Sequence, residues 1–170
     1  SPKLQDIIEL KNIIGLRSPV NTFSRMINPF SAPYEIHTVF HPNYRDVHLE
    51  TSLLLGQAHM AVFKGEGGEA ERRPHKPVLV QSLCFGEKVE EEWPPMVDNS
   101  TAPKDEVMDL GRLKGVWNGE IEDGYAASAV TGTIAIVLRL MQRADGIDEA
   151  QSAARQMWLE RDRGLPGLAA

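Results

Sequence analysis

The sequence predicts an α/β fold, with a mainly parallel sheet, flanking helices and a helical segment after it. Three observations predict this. Two apolar runs, Tyr34 to Phe40 (YEIHTVF) and His59 to Phe63 (HMAVF), bracket a stretch of helical period from Tyr44 to Leu55. The links between them are short, and strand, helix, strand with short links is the signature of a parallel crossover. From Asp105 onward the pattern turns helical, in three stretches separated by Asn118-Gly119 and Asp145-Gly146. The 170 residues suffice for one domain with a real core. Within that single segment, residues 1–93 hold the βαβ part and residues 104–163 the C-terminal helices.

The elements follow in order. Pro2 suits a first helical turn, and Leu4, Ile7, Ile8, Lys11 and Ile14 recur at helical spacing until Gly15 stops them. Ser18-Pro19 starts a short helix from Val20 to Ile27, which Asn28-Pro29 ends, because the residue before proline avoids the helical region. Tyr34 to Phe40 reads as a buried strand, and His41-Pro42-Asn43 as a turn. The helix after it should face the core with Tyr44, Val47, Thr51, Leu54 and Leu55, and Gly56 closes it. A second strand, His59 to Phe63, runs into KGEGGEAERRPHKP (Lys64 to Pro77), a loop dense in glycine and charge. Val78 to Phe85 is strand-like, Lys88 to Trp93 reads as a polar strand, and Pro94 to Pro103 as a linker. Asp105 to Trp117, Ile121 to Arg143 and Ile147 to Asp162 are the three helical stretches. In the middle one Tyr125, Ala129, Gly132, Ile136 and Leu140 share a face whose small residues permit close packing.

Composition narrows the function classes. The formal charge is −6, so there is no global attraction to nucleic acid or anionic membrane, and any such binding needs a local basic patch. A single cysteine, Cys84, rules out an internal disulfide and fits a reducing, cytoplasmic setting. The longest apolar run, Ala126 to Leu140, is too short and too polar to span a bilayer.

Four groups of residues could carry chemistry. Arg17, at a junction between two helices, could clamp a carboxylate or phosphate, or simply cap the helix before it. Glu66, Glu69 and Glu71 follow a parallel strand, where ligands of open α/β sheets collect, and could hold Mg²⁺ beside a phosphorylated substrate. The alternative is a solvated acidic hairpin. The loop is not a P-loop, because GxxxxGK[ST] is absent. Lys64, Arg72, Arg73 and Lys76 could meet phosphates of a nucleic acid, or balance Glu69 and Glu71. No aromatic residues interleave with them for base stacking. None of the five histidines pairs at a zinc spacing, and His37 and His59 read as core or strand-end residues. Cys84 reads as a buried strand residue, and Glu90-Glu91-Glu92 as a solvated face or strand edge.

The blocks GLRSPVNTFSRMINPF (Gly15 to Phe30), VFHP (Val39 to Pro42) and AVFKGEGGEAERRP (Ala61 to Pro74), with the helices after them, resemble the anthranilate phosphoribosyltransferase family in order and spacing. The resemblance implies the C-terminal part of a phosphoribosyltransferase-like α/β domain. It assigns Arg17, with Asn21, to the acceptor, and Glu71, with Glu69, to Mg²⁺ bound together with phosphoribosyl diphosphate. It assigns no catalytic residue in this chain. Two departures stand out: Ala70 falls where the family has an aspartate, and Ser24-Arg25 where it has Gly-Pro. They resemble a divergent, TrpD2-like branch, some of whose members are thought to bind nucleic acid. The family's N-terminal helical domain and glycine-rich diphosphate loop have no counterpart in the sequence. The expectation is therefore a segment that is inactive alone and belongs to a homodimeric protein when complete.

Overall fold

The computed structural model describes residues 2–15, 20–65, 69–99 and 109–164, the side chains of Asn21 and Thr22 excepted. Helices Pro2–Glu9 (α1) and Lys11–Ile14 (α2) end on Gly15, whose φ of 69° is the left-handed cap that a glycine allows. Val20–Phe23 (α3) runs into a 3₁₀ turn, Ser24–Met26, and Ile27 is already extended. Asn28 then closes the next bend with its own side chain. Its Nδ2 donates to the Ala32 carbonyl (2.9 Å) and its Oδ1 accepts from the Ala32 amide (2.8 Å).

The sheet has four strands in the order β1-β2-β3-β4: Tyr34–Val39 (β1), His59–Lys64 (β2), Val78–Cys84 (β3) and Glu87–Trp93 (β4). The β1–β2 pair is parallel and is joined through Tyr44–Leu54 (α4), as the crossover signature requires. The other two pairs are antiparallel, so the sheet is mixed rather than mainly parallel. The reason lies in the connections. Among the described residues no helix intervenes between β2 and β3, whose link is the charged loop, and Phe85-Gly86 alone joins β3 to β4. Both turn residues have positive φ (52° and 79°), the combination that lets a two-residue turn follow the strand twist.

Alternation along β2 divides the core. Ala61 and Phe63 face one side, with Val78, Val80 and Trp93, under Gly124–Leu140 (α6) and Ile147–Leu159 (α7). Met60 and Val62 face the other, with Val39, Leu49 and Leu83. A strand apolar on both faces needs cover on both, and β2 is buried from His59 to Phe63. Leu110–Asn118 (α5) begins on Asp109, and α6 begins on Asp123. These caps accept from Arg112 N (3.1 Å) and Ala126 N (2.9 Å). The first part of the helix expected from Asp105 lies outside the described residues.

One helical face differs from expectation. The buried residues of α4 are His48, Leu49 and Ser52, while Val47 is half-exposed and Leu54 is 87% exposed. Two polar contacts explain the orientation. His48 is held to His37 of β1, and Lys88 of β4 pairs with Glu50 on the same helix.

Candidate functional site

The carboxyl ends of β1 and β2 lie side by side, Val39 opposite Lys64, and the charged loop leaves from there. Gly65 makes the first step of that loop possible. Its amide donates to the Val39 carbonyl at 3.2 Å, and a Cβ on it would lie 2.0 Å from the Glu69 carbonyl oxygen. The chain therefore returns over Gly65 at backbone contact, and only glycine leaves room. Glu71 N donates to that same Glu69 carbonyl at 2.7 Å, and both glutamates are exposed at the strand end.

The basic run divides. Arg72 is fully buried, and its guanidinium lies 5.2 Å from the centre of the Trp93 ring. Its Nη2 donates to the Pro94 carbonyl, and its amide to Thr133 Oγ1 at 3.0 Å. Its Nε and Nη1 are buried without a hydrogen-bond partner, and burial lowers its pKa to about 10. Arg72 thus has no surface to offer a phosphate, because it is the plug that fastens the loop to α6. The small face of α6 receives it: a Cβ at Gly132 would lie 2.9 Å from Arg72 Cδ and 2.8 Å from Met96 Sδ. Lys76 is exposed, and His75 beside it meets the Tyr125 hydroxyl through Nδ1 at 3.2 Å.

Lys64 and Arg73 come together, with a residue that the spacing of the basic run could not reveal. They line one small cavity with Arg45, from the first turn of α4, and with Pro77, Val78 and Leu79. Arg45 is nineteen positions from Lys64 in the sequence and reaches the cavity only through the crossover. Asp46 and Glu90 both accept from Gln81 Nε2, at 2.8 and 2.6 Å.

Arg17 and Glu66 lie outside the described residues, and so does the side chain of Asn21. Arg25, where the resembling family has proline, donates through Nη1 to the Thr38 carbonyl at 2.9 Å, near the end of β1. Behind it is a buried histidine pair, His37 Nδ1 to His48 Nδ1 at 3.2 Å, with His37 Nε2 3.3 Å from Glu35 Oε2. With both rings neutral, His37 Nε2–H donates to Glu35 and His37 Nδ1 accepts from His48. Burial lowers both histidine pKa values, His48 to about 4, and the charges of His37 and Arg25 add to the effect on His48. Burial raises the Glu35 carboxyl against a lowering hydrogen bond from Asn28.

Glu69 and Glu71 supply hard oxygen ligands of the kind Mg²⁺ takes. Among the described residues no three His, Cys, Asp or Glu side chains gather into a metal cluster. Two carboxylates are a donor set compatible with an ion that keeps most of its water. Cys84 is half-buried at the end of β3, and burial raises its thiol pKa. No helix among the described residues is long and apolar enough to cross a membrane.

Comparison with known proteins finds distant similarity to one group of enzymes. The chain is 29% identical over 167 residues to the anthranilate phosphoribosyltransferase of Burkholderia ambifaria (strain MC40-6), covering 89% of this chain and 47% of that enzyme. It is 27% identical over 163 residues to the enzyme of the same name from Paraburkholderia phymatum, covering 91% and 47%. An uncharacterized protein of Aquifex aeolicus (strain VF5) is 33% identical over 81 residues, 48% of this chain and 26% of that protein. No protein-family model matches. The chain is distantly similar to anthranilate phosphoribosyltransferases along most of its length, and it spans about half the length of these enzymes.

Proposed function

We propose that the chain forms the acceptor and metal side of a phosphoribosyltransferase-like protein. In the complete protein a phosphoribosyl group passes from a diphosphate donor to a nitrogen acceptor. The observation that carries this reading is the similarity to anthranilate phosphoribosyltransferases across 89% of the chain. The loop geometry supports it, since Gly65 turns Glu69 and Glu71 to the carboxyl ends of the parallel strands, where such sheets bind ligands.

In this reading Arg17 pairs with the acceptor's carboxylate and Asn21 lies beside it. Glu71, with Glu69, holds Mg²⁺ through carboxylate oxygen. When bound, the ion neutralises charge on the departing diphosphate. The chain's own residues position: Gly65 and Arg72 fix the loop, and the glutamates hold their oxygens toward the donor. Ala70 removes one carboxylate from the family's pair, so metal affinity should be weak. The complete protein would act as a homodimer.

Calorimetric titration of phosphoribosyl diphosphate into the full-length protein, with and without Mg²⁺, tests the reading. Mg²⁺-dependent heat that Glu71→Gln abolishes supports it. Folded protein giving no heat under either condition removes it.

A second reading, a non-catalytic TrpD2-like protein that binds nucleic acid, is favoured by one observation, the convergence of Lys64, Arg73 and Arg45. Its patch excludes Arg72. A salt-dependent gel shift should weaken with Arg73→Ala and stay unchanged with Arg72→Met. The reverse pattern would eliminate this reading.

A further inference from the structure

We propose that Arg25 is a positioning residue that couples the acceptor-side segment, residues 20–26, to the loop carrying Glu69 and Glu71. The roles of the two sides rest on the transferase reading; the contact between them does not. Arg25 stands where the resembling family has proline, which offers no side-chain donor. The segment it belongs to is an α-helical turn of four residues followed by a 3₁₀ turn of three. Pieces that short do not hold a position by themselves and need an anchor.

Three contacts run in series from that anchor. Arg25 Nη1 donates to the Thr38 carbonyl at 2.9 Å. The next carbonyl, that of Val39, turns toward β2 and accepts from Gly65 N. Backbone groups alternate along a strand, so the Thr38 carbonyl points to the outer edge of β1, where the described sheet ends. Arg25 therefore serves a carbonyl that the ladder leaves over, and its charge strengthens the bond. Thr38 is itself buried, and a Cβ on Gly65 would lie 3.1 Å from the Thr38 Cβ. The same Cβ would lie 2.0 Å from the Glu69 carbonyl oxygen, which accepts from Glu71 N at 2.7 Å. Thr38, Gly65 and Glu69 thus meet where there is no room for a methyl group. A shift of Thr38 reaches the backbone of both glutamates through packed atoms. Group transfer needs this kind of fixity, because a misplacement of about 1 Å can cost about 100-fold in rate. One arginine then sets the spacing between the side that holds the acceptor and the side that holds the metal.

Hydrogen exchange on the full-length protein tests the coupling. Arg25→Gln should speed exchange roughly fivefold or more in residues 20–26 and again in residues 69–77, while β3 and β4 stay unchanged. Arg25→Lys keeps the charge and a donor, and should restore about half of the protection or more. In a Gly65→Ala background the loop is already displaced. There Arg25→Gln should still loosen residues 20–26 but change residues 69–77 by less than about twofold. Loosening confined to residues 20–26 overturns the proposal. So does an equal effect on the loop in both backgrounds, or a rise that extends equally through β3 and β4, which would make Arg25 a general stabiliser. Should Arg25→Gln not fold, Arg25→Lys decides on the same segments: a smaller loosening in both upholds the coupling, and loosening in one alone removes it. Calorimetry with phosphoribosyl diphosphate and Mg²⁺ gives a readout that stability does not supply. Arg25→Gln should weaken Mg²⁺-dependent donor binding roughly fivefold or more, and Arg25→Lys less than about twofold, although Arg25 belongs to the acceptor side. Equal donor affinity in wild type and Arg25→Gln overturns the positioning role. If the wild type gives no donor heat, the transferase reading falls, and the exchange pattern alone decides whether the two segments are coupled.

Discussion

Arg72 is a buried cation that makes no ion pair with an acid among the described residues. Its stem fills space between Trp93 and Gly132, and its guanidinium gains one carbonyl and the face of an indole. Volume should therefore matter more than charge. Arg72→Met should stay within about 1.5 kcal/mol of wild type, and Arg72→Ala should lose about 2–5 kcal/mol by leaving a cavity. Urea midpoints compare them, and equal losses would show that the charge carries the contact. The histidine pair gives a second prediction. Both folded-state pKa values lie below 6.5, so the stability these residues contribute is complete above that pH. It declines as pH falls toward about 4, where His48 would protonate in the fold. Glu35, whose carboxyl burial raises in the fold, acts in the opposite direction and offsets some of the loss. Unfolding free energy should be lower at pH 5 than at pH 7, and His48→Gln should flatten the slope. An unchanged slope would locate the proton uptake elsewhere.

At the scale of elements, two glycines are fixed by what lies against them. Gly65→Ala places a methyl group against a backbone oxygen, so the loop itself must move. Faster hydrogen exchange over residues 69–77 and a loss of about 1–3 kcal/mol are expected. Gly132→Ala meets flexible side-chain atoms instead and should cost less. The crossover is legible in the sequence because the strands are apolar runs and the turns carry proline and glycine. The antiparallel half is not, since a charged loop has the same composition whichever way the next strand runs. The inward face of α4 is misread for a different reason. Hydrophobic period predicts burial of Val47 and Leu54, but the inward face is fixed by His48 and Ser52, whose polarity conceals it. Leu54→Lys should accordingly change stability by no more than about 0.5 kcal/mol. A large loss would show that the face is covered in solution. Of the basic residues, Lys64 is legible from its place at a strand end. Arg45 is not, because only the folded crossover brings it near.

At the scale of the whole molecule, the sheet has two unlike edges. β4 carries Glu87, Lys88, Glu90 and Glu92, all exposed. An edge of that kind resists pairing with another chain. Replacing Glu87 and Glu92 with threonine should leave the unfolding midpoint nearly unchanged while raising light scattering on heating. Unchanged scattering would mean that β4 is not a guarded edge. The opposite edge, β1, carries a single carboxylate, Glu35, and the Arg25 side chain reaches the carbonyl of Thr38 near its end. Charge is also uneven. An acidic chain gathers Arg45, Lys64 and Arg73 at the end of the parallel strands, where the acidic loop also begins.

The position of Trp93 has an optical consequence. Its indole is sealed from solvent beneath the Arg72 guanidinium, at the root of the loop that carries Glu69 and Glu71. The other two tryptophans, Trp117 and Trp158, are stacked edge to face with Arg161 3.7 Å from the centre of the Trp158 ring, at the far ends of α5 and α7. Replacing those two with phenylalanine would leave a single fluorophore whose emission reads the seating of the loop. Anything that lifts Arg72 out of its place would move that emission to the red, and the loop would report its own displacement without an attached label.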